Sequence, residues 1–516
     1  MRSTEDLTTA AAEQALVQWL PGQRWFAGKG VAITGLKLTE QTELTEPGQD
    51  PALWHLIAEV RQENSTDDYQ VLVGLRAELP DRLEHVRIGT LPDGRTAYDA
   101  LHDHELARVL LHGIAGEQTR GPLRFGRVRA EAFEAGTDHK PTLASEDIES
   151  LVMTAEQSNT SLVYGEEAIL KVFRRVAPGP NPDLEVSVAL SRLGSPHVAA
   201  PLGWIEMGCA EMGGAETGES GDRTILAILS QYLRAASDGW SMAATSVRDL
   251  YAVQDDGQPA EGRISGQESE EGRPFGQESR VGAAEAGGDF AGEAHRLGEA
   301  TAEVHAGLAR AFGTEMLPPG TAAEMAAQMR HRLEEAVAAV PALREHADLV
   351  AAVYRALAEV REPIAAQRIH GDYHLGQVMR TQAGWVVLDF EGEPAAPLAT
   401  RRGRFSPLRD VAGMLRSFDY AARHQLVAHP DRVALELPAR DWVRRNTDAF
   451  CAGYAEASGV DPRGHAVLLR ALEFDKAVYE VRYEARNRPS WLPVPLDSLA
   501  AAVPVSTPQT RAGDTL

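Results

Sequence analysis

The chain has 516 residues, and 51 basic against 75 acidic side chains give it a formal net charge of −24 at pH 7. A 43% hydrophobic and 24% charged composition is that of a globular protein of about three compact units, and its negative charge excludes nucleic acid and anionic membrane as general partners. Two distant cysteines, Cys209 and Cys451, speak against a disulfide framework or a zinc cage, and no run of about 18 apolar residues or basic leader occurs, so a cytoplasmic location is expected.

In chain order, Ala12, Ala15, Leu16, Trp19 and Leu20 have the spacing of one helix face, which predicts a helix over 9–20 ended by Pro21-Gly22. Alternating β-like runs at 31–38, 54–60 and 69–75 predict a small, mostly antiparallel sheet behind it, an α+β cap over 1–90. A helix is expected over 98–112, followed by strands at 147–154, 161–164 and 168–173. A helix over 182–193 and strands at 198–205 and 224–229 complete a second α+β unit, expected over 91–234. From Ala294 on, the pattern is helical apart from a polar loop and strand pair at 367–391, so 235–516 is expected to be a mostly helical lobe. The stretch 253–290 is rich in Gly, Glu and Gln and nearly repeats itself, which predicts a disordered acidic insertion; 208–222 has a similar composition.

The sharpest motif is HGDYHLGQV, His370 to Val378, followed by the strand-like WVVLDFEGEP. His370, Asp372 and Gln377 fall on the positions of a kinase catalytic loop, H-x-D-x-x-x-x-N, and Asp389 follows on the next hairpin. Phosphoryl transfer needs one carboxylate to accept the hydroxyl proton and oxygen ligands that hold Mg²⁺ against the phosphates. Asp372 is the candidate base, and Gln377 and Asp389 are the candidate magnesium ligands, an amide and a carboxylate oxygen. His370 and His374 stand at i, i+4, but the flanking Gly371 and Gly376 disfavour the helix that a zinc pair would need.

Upstream, Ser158, Asn159 and Thr160 lie between two β-runs and could cradle phosphate, although no G-x-G-x-x-G is present. Lys171 sits in the apolar strand ILKVF and is the candidate ATP lysine; Glu185 is chosen as its ion-pair partner, with Asp183 as competitor. Gln231 to Leu233, after the strand ILAILS, would be the hinge that meets adenine. For the acceptor, His374, Tyr420, Glu480, Tyr483 and Arg486 are the candidate lining, with Asp419, Asp475 and Tyr479 nearby; the alternative is an amphipathic helix with buried tyrosines and solvated charges. Asp410 is expected to be structural, bonding back to the catalytic loop. Trp25, Phe26 and the following Gly-Lys-Gly turn have no assigned role.

Several long blocks resemble the actinobacterial maltokinases: LPGQRWFAGKG, EQSNTSLVYGEEAILKVFRRV, QRIHGDYHLGQV, EGEPAAPLATRR…SPLRDVAGMLRSFDYAA and DKAVYEVRYEARNRPSWLPVPL. The resemblance spans nearly the whole chain except the two insertions. It implies an α+β, bilobal protein-kinase-like fold of the aminoglycoside-phosphotransferase type, with a small N-terminal α+β cap and a mostly helical C-terminal lobe. It also implies ATP- and Mg²⁺-dependent phosphorylation of maltose to maltose 1-phosphate, on the route from trehalose to α-glucan, and association with enzymes of that route. Asp372 as base and Gln377 and Asp389 as metal ligands are carried over in the same way. The rival readings are a kinase for another sugar, glucosamine foremost, and a pseudokinase that binds nucleotide or a partner without turnover.

Overall fold

The computed structural model describes residues 9–63, 65–128, 148–153, 158–208, 223–256, 283–284, 288–393 and 396–501. They belong to two compact units, Met1–Gly194 with Val198–Arg234 and Ser195–His197 with Ala235–Leu516. Most of the acidic stretch expected at 253–290, namely 257–282 and 285–287, lies outside the described residues, as do 209–222 of the shorter one. Among the described residues no helix is long and apolar enough to cross a membrane.

In the first unit, helix α1 (Thr9–Trp19) covers an antiparallel sheet of β1 (Gly35–Glu43), β2 (Ala52–Gln62), β3 (Ser65–Arg76), β4 (Arg87–Thr90) and β5 (Thr96–Asp99), in the order β1-β2-β3-β5-β4. After α2 (His104–Ala115), a second sheet is built from β6 (Thr119–Arg120), β7 (Leu123–Arg127), β8 (Ser150–Val152), β9 (Asn159–Tyr164) and β10 (Ala168–Phe173). Short β11 (Arg175–Val176) then crosses to pair with β3, and α3 (Pro182–Arg192) leads to β12 (Pro201–Gly208) and β13 (Arg223–Gln231) of the second sheet. The helix expected from Tyr98 begins at His104 instead. Asp103 caps it by accepting the Glu105 N–H, and Tyr98 belongs to β5, its hydroxyl donating to Asp103 at 2.7 Å.

Strand β2 reads as a nearly continuous apolar run because both of its faces are covered. Trp54, Leu56, Ala58 and Val60 pack with Leu16, Leu20, Trp25 and Phe26 under α1, whereas Leu53 and Ile57 on the opposite face join Phe125, Val172 and Ile205 of the second sheet. Buried Gln70 stitches the two sheets: it bonds His55 at 3.0 Å and donates to the carbonyls of Phe173 and Leu226.

The second unit opens with β14 (Ser237–Asp238), α4 (Gly239–Asp256), α5 (Ala291–Phe312) and β15 (Thr314–Met316). Then follow α6 (Thr321–Ala339), α7 (Ala347–Ala358), β16 (Ala365–Gln367), the hairpin β17 (Val378–Arg380) and β18 (Trp385–Val387), and short α8 (Leu398–Arg401). Four helices end it: α9 (Leu408–Arg423), α10 (Arg432–Ser458), α11 (Ala466–Asn487) and α12 (Pro493–Ala501). Every residue of α9 except Arg409 is buried, so this helix is the axis on which the others pack. Helices α5 and α10 cross at glycines: a Cβ on Gly298 would lie 2.1 Å from the Phe450 carbonyl oxygen, and one on Gly453 2.0 Å from that of His295.

Candidate active site

Lys171 projects from β10 between buried Leu170 and Val172, with its side chain 18% exposed, and its ammonium bonds Asp183 at 3.1 Å. Asp183 stands at the start of α3, where the Asn181 side chain accepts the N–H groups of Asp183 and Leu184. Lys171 thus pairs with Asp183, the competitor, and Glu185 follows two residues later in the first turn of the same helix.

Of the three small polar residues at the β9 edge, Ser158 is exposed and Asn159 half-buried, while Thr160 is buried with its hydroxyl accepting from Arg174 Nε at 2.8 Å. That hydroxyl is committed to the core, so only Ser158 and Asn159 present side chains at the edge. Gln231 ends β13 with its N–H on the Ala200 carbonyl, and Tyr232 donates to Glu167; Leu233 makes no backbone hydrogen bond among the described residues.

The turn after Trp25 and Phe26 has a structural explanation. Both rings pack on Tyr69, and the buried Arg174 guanidinium lies 4.6 Å above the Trp25 ring. Gln62 donates to the carbonyls of Gly28 and Val31, and a Cβ on Gly28 would meet its terminal amide at 1.9 Å, so a larger residue there would displace the Gln62 side chain that ties the turn.

In the second unit the catalytic-loop motif is held from below by one buried carboxylate. Asp410, in the first turn of α9, accepts the backbone N–H groups of His370 at 2.7 Å and Gly371 at 2.8 Å, and bonds His305 Nε2 at 3.1 Å. Burial alone would raise its pKa, but these donors outweigh it and hold the carboxyl below its ordinary value. His305 in turn bonds the Tyr454 hydroxyl at 3.0 Å. A Cβ on Gly413, one turn along α9, would lie 2.5 Å from the Tyr373 carbonyl oxygen, so the loop rests directly on the helix backbone.

His370 joins the loop to the strand that carries Asp389. Its Nε2 faces the Leu388 carbonyl at 2.8 Å and its Nδ1 faces the Asp372 N–H at 3.3 Å, so Nε2 is placed to donate and Nδ1 to accept. Leu388 N–H continues the hairpin onto the Gln377 carbonyl. Asp389 then adopts φ +63°, a left-handed conformation costly for a residue with a side chain, and its carboxylate accepts from the Gln377 amide at 3.2 Å. The two candidate metal ligands are therefore brought together, with hard oxygen donors that suit Mg²⁺.

Asp372 is partly buried, and its carboxylate accepts from Lys476 of α11 at 3.0 Å. The same ammonium lies 3.8 Å from Glu393, which accepts the Tyr479 hydroxyl at 2.8 Å. Burial works against the Lys476 charge, but Asp372, Glu393 and Glu480 outweigh it and raise its pKa. Tyr479 and Tyr483 stack at 6.2 Å and are 39% and 40% exposed, a flat aromatic surface beside this cluster.

The candidate acceptor residues divide. His374 caps the Gly376 N–H, and burial lowers its pKa toward a neutral ring. The Tyr420 hydroxyl donates to buried Glu484, and Glu480 is held by Arg416 at 2.7 Å, so both polar groups are committed to interior pairs. Asp419 is tied to Arg416 and Arg423, Asp475 to Arg332, and Arg486 is exposed. Lys476 and Glu393 were missed. Lys476 shares a helix face with Tyr479 and Tyr483, a spacing visible in the sequence, whereas Glu393 lies in a loop and gave no such signal.

A model of the maltokinase N-terminal cap domain matches residues 19–103, and a model of the phosphotransferase enzyme family matches 250–466. The chain is 30% identical over 365 residues to a glucosamine kinase of Streptacidiphilus jiangxiensis, covering 68% of this chain and 72% of that protein. It is 28% identical over 376 residues to a glucosamine kinase of Mycolicibacterium smegmatis, covering 69% and 80%. A solved glucosamine kinase in complex with glucosamine, ADP and inorganic phosphate aligns over 96% of this chain and 99% of that one, with a TM-score of 0.60 at 23% identity. That likeness supports a kinase-like α+β fold with a sheet-rich N-terminal region and a helical C-terminal region, as the motifs led us to expect. Together these matches establish that the chain belongs to the phosphotransferase enzyme family, as a sugar-kinase-like member carrying a maltokinase N-terminal cap domain.

Proposed function

We propose that this chain is an ATP-dependent sugar kinase in which Asp372 accepts the proton of the attacking hydroxyl. The observation that carries the reading is the catalytic loop, anchored on Asp410 and coupled through His370 to the strand that delivers Asp389 beside Gln377. Lys476 orients the Asp372 carboxylate through a charge-assisted hydrogen bond. Gln377 and Asp389 would hold Mg²⁺, which when bound supplies positive charge to the phosphates. For its oxygen to reach the ion, the Gln377 amide turns from the orientation in which it donates to Asp389. Lys171, fixed by Asp183, serves the phosphates, and the backbone of Leu233 serves adenine.

The acceptor we infer is maltose, phosphorylated at its anomeric hydroxyl to maltose 1-phosphate on the route from trehalose to α-glucan. The maltokinase-type cap and the resemblance of the blocks around Asp372 and Tyr479 support this reading. Tyr479 and Tyr483 offer the flat face that a sugar ring stacks on, with Glu393 to accept a hydroxyl. Glucosamine is the second reading, favoured by the relatives named glucosamine kinase. ADP release measured across a sugar panel separates them: turnover with glucosamine and none with maltose would replace the first acceptor by the second. Absence of turnover with every sugar would favour a pseudokinase.

A further inference from the structure

A cavity of about 520 Å³ lies wholly within the second unit, walled by α9, α10, α11 and α12. Its size is that of a small-molecule site, ~300–1,000 Å³. None of Asp372, Gln377, Asp389, Glu393 or Lys476 lines it, although α11 carries both Lys476 and part of the cavity wall.

Six arginines line this cavity, Arg416, Arg423, Arg440, Arg444, Arg463 and Arg470, against two carboxylates, Asp419 and Glu473. Five of the carboxylates that pair with them, Glu436, Asp441, Asp448, Asp461 and Glu480, stand outside the lining, so the wall itself is rich in guanidinium groups. Two of the arginines are structural: Arg416 pairs with Asp419 and Glu480, and Arg423 with Asp419 and Glu436, with side chains 7% and 4% exposed. The other four are 34–72% exposed and pair with Glu436, Asp441, Asp461 and Glu473, while Arg463 also reaches Asp448 at 3.5 Å. Exposed pairs of this kind are weak, and each guanidinium has five donors, of which a carboxylate occupies one or two. Burial pushes the Glu473 carboxyl up, against Arg470 and Arg416, which weakens its claim on Arg470. Among the remaining lining residues Val443, Leu469, Phe474 and Leu499 form an apolar wall.

Guanidinium forks suit phosphate oxygens, and an apolar wall suits a carbon skeleton, which inorganic phosphate alone would leave uncovered. We propose that this cavity binds a small phosphorylated organic molecule of sugar size, at a site separate from the catalytic loop.

The test is calorimetric titration of the full-length chain with glucose 1-phosphate, inorganic phosphate and glucose, without turnover and thus independent of the proposed reaction. Expected are saturable binding of glucose 1-phosphate that weakens with salt, weaker binding of phosphate, and none of glucose. The double variant Arg444→Glu/Arg463→Glu should weaken that binding by about 30-fold or more, two guanidinium–phosphate contacts being lost, with kcat and Tm unchanged. Asp372→Asn should leave it intact. Should the double variant lose its folded Tm, Arg444→Gln carries the same test with about a fivefold loss expected. The proposal is overturned by no binding of glucose 1-phosphate, by binding indifferent to the arginine variants, or by equal affinity for phosphate, which would mean an adventitious ion only.

Discussion

Gly413 is where a single methyl group tests how the catalytic loop is held. Its missing Cβ would sit 2.5 Å from the Tyr373 carbonyl oxygen, where ordinary contact begins at 3.4 Å. Helix α9 is buried on all sides at this point and cannot retreat, so in Gly413→Ala the loop carrying Asp372 must recede by about 1 Å. A displacement of that size at a reacting group costs on the order of 10²-fold in rate. Overpacking should cost about 1–3 kcal/mol of stability, offset by about 1 kcal/mol from replacing a helical glycine with alanine. We therefore expect kcat for ADP release to fall about 10²-fold, with ATP affinity and the urea midpoint little changed. Gly464→Ala is the control, since its Cβ meets open space. Wild-type kcat together with raised stability in Gly413→Ala would refute the reasoning, because it would mean that the loop does not rest on α9.

Other predictions follow from the same contacts. His55 is fully buried among Leu72, Phe125 and Val172, and burial pushes its pKa down to about 4 from 6.5 despite the Gln70 hydrogen bond. Because the unfolded chain takes up that proton first, stability is full above pH 6.5 and falls by up to about 3 kcal/mol as pH drops toward 4; urea unfolding of wild type and His55→Gln at pH 7 and 4.5 should show the dip only in the former. Gly298→Ala forces α5 and α10 apart and should cost about 3 kcal/mol, read from the urea midpoint; a neutral result would mean that the crossing is loose. Asp410→Ala strands the His370 and Gly371 N–H groups and should cost about 2–4 kcal/mol and lower kcat, with little effect on ATP affinity measured by titration. Lys476→Met should lower kcat about tenfold or more by releasing the Asp372 carboxylate, whereas a change confined to KM would assign Lys476 to sugar binding instead.

The local patterns were legible and the tertiary contacts were not. Strand β10 runs from Ala168 to Phe173 as the apolar run around Lys171 predicts, and the spacing of His370, Asp372, Gln377 and Asp389 announced a loop and hairpin that the structure contains. Tyr98 was misread because β5 is four residues long and is a strand only through its pairing with β3 and β4. The pairing of Lys171 with Asp183 depends on where α3 is capped, and Glu185, two residues on, fits a helix-start pattern equally well. On α11, helical spacing groups Tyr479 and Tyr483 on one face but does not single out Lys476, whose partner Asp372 lies 104 residues earlier. Glu480 and Tyr420 look like sugar ligands in sequence because polar groups on a helix face are indistinguishable there from members of a buried ion-pair network.

The most direct test of the account is ADP release by the purified chain with Mg·ATP and a sugar panel, run for wild type and Asp372→Asn. The account predicts turnover with maltose, or with glucosamine as the second acceptor, reduced about 10²- to 10⁴-fold by the substitution. Sugar-dependent turnover that survives in Asp372→Asn within a factor of about ten would contradict it, since the proton acceptor would then be another group.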